Sequence, residues 1–518
     1  MNTNRNQPGA NLGFVTLAVM LATFMEVLDS TIANVALNHI AGSLSVSTDE
    51  STWVLTTYLI SNAIVIPSTA WFGQKFGRKR FLIISVAIFT LASLLCGLAT
   101  SLPMLLLMRI LQGAGGGALL PISQAILMES FPKEKQGQAM GIYGLGVVVA
   151  PVLGPVLGGW ITDNYTWRWI FFINVPVGLL AMALIQRFVY DPAWIRDARP
   201  ARLDVIGFSF MSLWLGCQEV LLDKGQEDDW FGSHYIVVMT VLAVIGLIVF
   251  IVRELMIEKP FVDLRVMKNY NFTLSMVLMF FAGVFLYGLN AAIPLYLQSL
   301  MGYTALWSGL AMISRGLGSM IAMPLAGKLV NRIQGRWLVA FGFISFGASS
   351  WVLSRITLDI SPWALFWPMF FSGVSMGFMF VPLNTLAMGS LKPEKMANAS
   401  GVLNLMRNVG GSVGISLVTT FSARFAQAHQ TTLVGHLTPY DPAYQSAVRT
   451  ASSLFAAHAD KVTARQQTLG SLYNQLLTQA SMLAYLDIFR WFGLLCLLCV
   501  GAAFVMKKVK VHGPVAMH

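Results

Sequence analysis

The chain of 518 residues is 56% hydrophobic and only 11% charged, whereas a soluble domain carries roughly 25% charged residues, so an ordinary soluble fold is excluded. Its net charge of +11 invites a nucleic-acid partner, yet 23 of the 34 lysines and arginines fall in loops on one prospective membrane face; this positive-inside pattern orients a chain in lipid and implies no nucleic acid. The four cysteines, Cys96, Cys217, Cys496 and Cys499, all lie in apolar stretches, and no His-Glu-x-x-His helix or G-x-x-x-x-G-K-[ST] phosphate loop occurs, which gives no support to a disulfide frame, a metal, a cofactor or an ATP-driven pump.

Apolar runs able to cross about 30 Å of hydrocarbon recur fourteen times, near residues 12–37, 52–72, 81–100, 103–129, 137–161, 168–189, 203–222, 234–255, 272–298, 305–330, 337–356, 362–389, 397–425 and 482–506. The first is too long for a signal-peptide core and no small-residue cleavage site follows it, so it is expected to be retained. An even count places both termini on one side, the cytoplasmic one by the distribution of basic residues. A basic cluster (Arg187, Arg196, Arg199, Arg202) and a mixed-charge stretch from Arg253 to Asn269 bracket spans seven and eight. The expected organisation is therefore a six-helix half over 1–190, a two-helix linker over 191–270 and a second six-helix half over 271–518.

At an offset of 260, Gly113, Gly117, Glu134, Lys135, Ala139 and Gly141 recur as Gly373, Gly377, Glu394, Lys395, Ala399 and Gly401. Repeated halves around a midplane cavity characterise transporters that rock one half against the other. Residues 426–481 form the longest loop, expected to face outward with short amphipathic helices around Val448, Leu454 and Phe455 and around Leu472, Leu476 and Leu477. It reads either as a cap over the outer face or as a docking surface for a periplasmic partner.

Polar residues inside apolar spans are where function is expected, because a charge in hydrocarbon costs about 2.5–3.5 kcal/mol even on lenient scales. Arg109 in span four and Asp29 in span one lie about 9 and about 12 Å from the outer ends of their helices, at 1.5 Å per residue. Glu26 stands one turn from Asp29 on the same face, so two carboxylates and one guanidinium can share a cavity. Burial favours the neutral form of a carboxyl group and a neighbouring guanidinium its ionised form, which suits proton coupling; a static ion pair is the alternative. Further cavity candidates are Asn34, Gln112, Asn290, Arg315, Asn384, Asn404 and Arg407, with structural interhelix hydrogen bonding as the competing reading. No acidic residue of the second half matches Arg315 and Arg407 in depth. The segment carrying Gly77, Arg78 and Lys79 can fix topology or gate, with Glu129 as a prospective latch. In span five, Gly154, Pro155, Gly158 and Gly159 combine close helix approach with loss of backbone hydrogen bonds, a segment that can bend or repack.

These residues carry a resemblance. Leu28-Asp29-Ser30-Thr31-Ile32-Ala33-Asn34-Val35-Ala36, Arg109-Ile110-Leu111-Gln112-Gly113, Gly154-Pro155 through Gly158-Gly159, and Trp167-Arg168-Trp169 through Asn174-Val175-Pro176-Val177-Gly178 resemble motifs of the major facilitator superfamily, specifically its fourteen-span drug:proton antiporters of the EmrB-type subgroup. The resemblance spans nearly the whole chain. It implies an all-α membrane protein of the inner membrane, with lipid as its solvent and protons and hydrophobic drug-like compounds as its cargo. It links the fourth-helix motif at Arg109 with proton transfer, in keeping with the proton-coupling role expected of Asp29, Glu26 and Arg109 from their burial and spacing. It also implies a periplasmic membrane-fusion adaptor and an outer-membrane channel as partners, and no enzymatic activity. One departure stands out: Gln74 occupies a position where the superfamily's loop motif usually carries an acid. A symporter or facilitator for a small nutrient is the alternative, which the fifth-helix motif disfavours.

Overall fold

In lipid every backbone polar group has to be satisfied within its own segment or by a neighbouring one, which leaves helices as the natural solution for runs this apolar. The computed structural model describes residues 12–132, 135–191, 204–258, 260–330, 332–358, 360–389, 391, 393–435, 437–456 and 460–507, and is all-helical throughout. Arg196, Arg199, Arg202 and Glu134 lie outside the described residues.

The first half comprises α1 (Leu12–Leu44), α2 (Thr48–Phe76), α3 (Arg78–Gly97), α4 (Leu102–Gly116), α5 (Leu119–Ser130), α6 (Gln136–Asn164), α7 (Trp169–Phe172) and α8 (Asn174–Phe188). The pairs α4–α5 and α7–α8 each make one span. The hairpin of α9 (Val205–Lys224) and α10 (His234–Met256) follows. The second half comprises α11 (Tyr270–Leu295), α12 (Ala305–Leu329), α13 (Gly335–Leu353), α14 (Pro362–Gly389), α15 (Pro393–Val434) and α17 (Lys461–Val505), with the short α16 (Pro442–Ala456) between the last two.

Thirteen of these spans are long and apolar enough to cross a bilayer. The fourteenth, α15, falls short in hydropathy because Asn404, Arg407, Asn408 and Ser412 stud it. It nevertheless packs lengthwise on α11 and α17 inside the second half. Leu12 and Val505 therefore begin and end on one face of the bundle, here termed the terminal face.

The internal repeat is visible in the packing. A Cβ on Gly113 of α4 would strike the Tyr58 carbonyl of α2, and one on Gly373 of α14 would strike the Arg315 carbonyl of α12; Gly117 and Gly377 repeat the relation one turn further on. Small residues thus let equivalent helix pairs close to backbone contact in each half.

One expectation is corrected. Residues 426–481 are mostly not loop: α15 has 42 residues and α17 has 45, about 63 and 68 Å at 1.5 Å per residue, roughly twice the hydrocarbon thickness. Both project beyond the bilayer opposite the terminal face. The amphipathic helix around Val448, Leu454 and Phe455 exists as α16, but Leu472, Leu476 and Leu477 belong to a rigid extension of the last span. The helix α6 runs through Pro151 and Pro155, so the glycine and proline segment lies within one span.

Candidate functional site

Asp29 and Arg109 are 1% and 0% exposed and touch directly: Arg109 Nη1 donates to Asp29 Oδ2 at 2.7 Å. The surrounding helices supply donors to both Asp29 oxygens, while Arg109 Nη2 has no hydrogen-bond partner among the described residues. Arg109 Nε donates to the Val54 carbonyl at 2.9 Å, and its Nη1 also to Gln112 Oε1 at 2.8 Å. Asp29 Oδ1 accepts from Gln112 Nε2 at 2.9 Å and from Asn174 Nδ2 at 2.7 Å. The Tyr58 ring lies 4.1 Å from the guanidinium carbon. Five helices (α1, α2, α3, α4 and α8) converge here, since Ser93 of α3 accepts from Asn174 Nδ2 at 3.0 Å. Every donor and acceptor on a carboxylate removed from water offsets part of its desolvation, and a buried ion pair is tolerable only when so surrounded.

Glu26 does not share Arg109, contrary to the sequence expectation. One turn of α1 separates it from Asp29, and the Tyr58 side chain stands between the two groups: the ring faces Arg109 while the hydroxyl lies 3.5 Å from Glu26 Oε1. Asn62 Nδ2 donates to the same oxygen at 3.0 Å, and Glu26 Oε2 has no hydrogen-bond partner. The nearby cation acting on Glu26 is Arg407 of the second half.

α6 presses on α1 beside this cluster. Gly154 faces Thr31 and Ile32, and Gly158 faces the Ile32 carbonyl at 3.1 Å from its notional Cβ. Gly159 is buried and Pro155 half-buried. Any side chain at Gly154 or Gly158 would press on α1, the helix that carries Asp29. Asn34 is exposed on the far part of α1.

Asn384 and Asn404 meet a residue that sequence reading passed over. Gln124 of α5 donates from Nε2 to Asn384 Oδ1 at 2.6 Å, and its Oε1 accepts from Asn404 Nδ2 at 2.8 Å and Ser400 Oγ at 2.7 Å. Gln124 and Asn384 are themselves 260 residues apart, the period of the repeat, so they are equivalent positions of the two halves. Equivalent groups can touch only where the axis relating the halves passes, and the Gln124–Asn384 bond marks it. Close by, the Gly137 and Gly327 backbones of α6 and α12 abut. Both contacts lie toward the terminal face, where the halves are fastened together.

In the second half, Arg315 Nη1 donates to Asn290 Oδ1 and its Nη2 to the Leu286 carbonyl at 3.4 Å. Arg407 reaches Asn408 Oδ1 at 3.4 Å. Among the described residues neither makes an ion pair.

Around Gly77 the acid missing at Gln74 is supplied from elsewhere. Gly77 adopts φ +83°, a conformation that favours glycine, and the Asp191 carboxylate lies beside it, 2.6 Å from a notional Cβ. Asp191 Oδ1 accepts from the Lys79 backbone N–H at 2.9 Å, while Lys79 Nζ donates to the Gln186 carbonyl at 2.6 Å. Arg78 is ion-paired with Glu129. All these partners belong to the first half and the exit from α8; the segment binds α3 to α5 and α8, not one half to the other.

The linker hairpin holds what the sequence reading left out altogether. Glu219 and Asp223 of α9 lie one turn apart, the first accepting from Ser412 of α15 at 2.8 and 2.9 Å, the second from Thr56 of α2. Lys224 donates to Thr52 at 2.7 Å. The linker helix thereby bridges the two halves along one side of the bundle. Acids one turn apart in an apolar span could have been flagged by the argument that singled out Arg109. Asn62 and Asn174 carry the same kind of signal.

Comparison with known proteins agrees with this architecture. Residues 19–415 match the family described as Major Facilitator Superfamily. The chain is 36% identical over 485 residues to the probable multidrug resistance protein EmrY of Escherichia coli K12, covering 93% of each, and 34% identical over 508 residues to that strain's multidrug export protein EmrB, covering 98% of each. Its fold aligns with a crystal structure of a double-tryptophan mutant of XylE at a TM-score of 0.62 and 13% identity, over 97% of both chains. Twelve spans in two repeated halves with a two-span linker between them, the match over most of the sequence and these relatives together establish that the chain is a multi-pass transporter belonging to the Major Facilitator Superfamily.

Proposed function

We propose that the protein is a proton-coupled antiporter that exports hydrophobic or amphipathic drugs by alternating access between its two halves. The observation that carries this reading is the buried Asp29–Arg109 pair, a saturated carboxylate far from water on the helix that α6 presses upon. Protonating Asp29 would remove half of the ion pair and turn one acceptor into a donor, so a shift of α1 against α4 and a proton transfer favour each other. The terminal-face fastening around Gln124 and the exposure of Asn34 on the other side suit a transporter closed toward one face. The names of the relatives EmrY and EmrB support drug export as the direction.

The reading extends to arrangement. The terminal face is cytoplasmic, the membrane is a bacterial inner membrane, and the functional units are the half over 1–190, the linker over 191–270 and the half over 271–518. The projecting helices α15, α16 and α17 are suited to meet a periplasmic adaptor leading to an outer-membrane channel.

The test is Asp29→Asn in proteoliposomes. Adding a transported drug to the parent protein should release protons, and the variant should lose proton-linked transport by at least a hundredfold while remaining monodisperse. Undiminished antiport by the variant would overturn the assignment, and accumulation of substrate along an inward proton gradient would favour a nutrient symporter.

A further inference from the structure

We infer that the linker helix α9 is part of the substrate site: Glu219, together with Glu26, binds the positive centre of lipophilic quaternary cations in a seam between α2, α9 and α15. The inference rests on the export reading above and adds to it a substrate class and a residue from outside the two repeated halves.

The seam exists because α2 and α15 converge toward the terminal face, where Gly401 faces the Ile66 carbonyl at 3.3 Å from its notional Cβ, and α9 fills the widening gap beyond. It encloses about 100 Å³, room for an onium centre and its nearest carbons, with the rest of an amphipathic molecule left to the hydrocarbon. Three acids, Glu26, Glu219 and Asp223, lie in the lining, which among the described residues contains no lysine or arginine. Leu59 and Ile415 line the seam and are exposed, so the approach is sideways, from the apolar phase in which such cations dissolve.

Two of the three carboxylates are under-satisfied. Glu26 is 5% exposed, and its Oε2 has no hydrogen-bond partner. Glu219 is 7% exposed, and both its oxygens share one hydroxyl, that of Ser412. Asp223 differs, having the Thr56 hydroxyl as its donor and Lys224 as its neighbour. Between them the two buried carboxylates accept only from the neutral groups of Tyr58, Asn62 and Ser412 and make no ion pair among the described residues, so the seam offers uncompensated negative charge to a quaternary cation. Such a cation asks only for charge and for an aromatic face, and the Tyr287 ring supplies the face, resting on α15 where Gly411 leaves it room. Arg407 acts on Glu26 from α15. It is the cation that an incoming substrate displaces electrostatically, which makes binding at the seam sensitive to how α15 sits against α1.

The experiment uses the full chain in lipid nanodiscs and benzyltrimethylammonium as the probe, with binding to empty nanodiscs subtracted. Glu219→Gln, equal in size, should weaken binding at least tenfold. Ser412→Ala, which cuts the bridge between α9 and α15 but keeps the carboxylate, should weaken it less. Gln218→Glu adds negative charge to the lining while preserving the acceptor for Trp214 Nε1, now at 2.8 Å, and should tighten binding at least threefold. Unchanged affinity in Glu219→Gln, or equal losses in Glu219→Gln and Ser412→Ala, would overturn the inference and leave Glu219 a structural strap. No binding by the parent chain would overturn it too. Intact binding without proton-linked transport would instead count against the coupling assigned to Asp29 and leave the cation site standing.

Discussion

The two acidic regions on α1 lie one turn apart and differ in every physical respect. Around Asp29, donors from Arg109, Gln112 and Asn174 meet both carboxylate oxygens, and Arg109 is its direct counter-charge. Around Glu26, donors are too few and the walls belong to both halves and to the linker. A carboxylate saturated within one half can store a charge, whereas an unsaturated one at the seam between moving bodies can accept one. Tyr58 divides the two, offering its ring to Arg109 and its hydroxyl to Glu26.

That contrast can be broken first at Arg109. Replacing it by alanine strands Asp29 without its counter-charge, and breaking a buried pair in this way costs about 3–5 kcal/mol. Thermal unfolding in detergent should show a large loss, partly restored in Arg109→Lys; a variant as stable as its parent would mean that the ion pair does not hold these helices together. Gln124→Ala should have a smaller effect, about 1–3 kcal/mol, because it leaves buried polar groups on Asn384 and Asn404 short of partners. Its signature is conformational: a cysteine placed at buried Thr69, near the terminal-face contact with Gly401, should react faster with a water-soluble maleimide once the fastening at the axis is weakened. Unaltered labelling would remove Gln124 from the fastening. Smallest of all should be Glu26→Gln, which keeps the acceptor for Asn62 and removes a buried charge whose Oε2 has no partner. Its stability should stay within about 1 kcal/mol of the parent, since replacing an unsupported buried charge by a neutral group is often neutral or stabilising. A loss as large as that of Arg109→Ala would erase the distinction between the regions.

Much of the fold was legible in the residues. Span length and apolarity located fourteen crossings, and the period of 260 identified the repeat from glycines whose role is to let helices touch. The first half's site was legible for the same reason: Asp29, Arg109 and Gln112 are conspicuous in apolar surroundings and their depths match. Glu26 was assigned to the wrong partner because helical spacing says which face a residue occupies, not which neighbour faces it. Asp191 was invisible as the partner of Gly77 and Lys79 because the contact joins residues 112 positions apart. The projecting helices were read as loop because polar composition signals exposure to water and does not distinguish an exposed helix from an exposed coil.

By itself the sequence determined a helical protein dissolved in lipid, its crossings, its internal repeat and the polar residues that lipid would not tolerate without partners. These follow from local energetics, the transfer of each side chain and the satisfaction of each backbone group within its own helix. Only the tertiary structure decided which polar groups find one another: that Asn174 completes the Asp29 cluster, that Gln124 meets its own repeat-mate at the axis, and that a linker helix stands between the halves with Glu219 turned toward Ser412. Such pairings depend on the angles and registers at which long helices cross, and those are set by small residues and close packing summed over the whole bundle, which no single stretch of sequence contains.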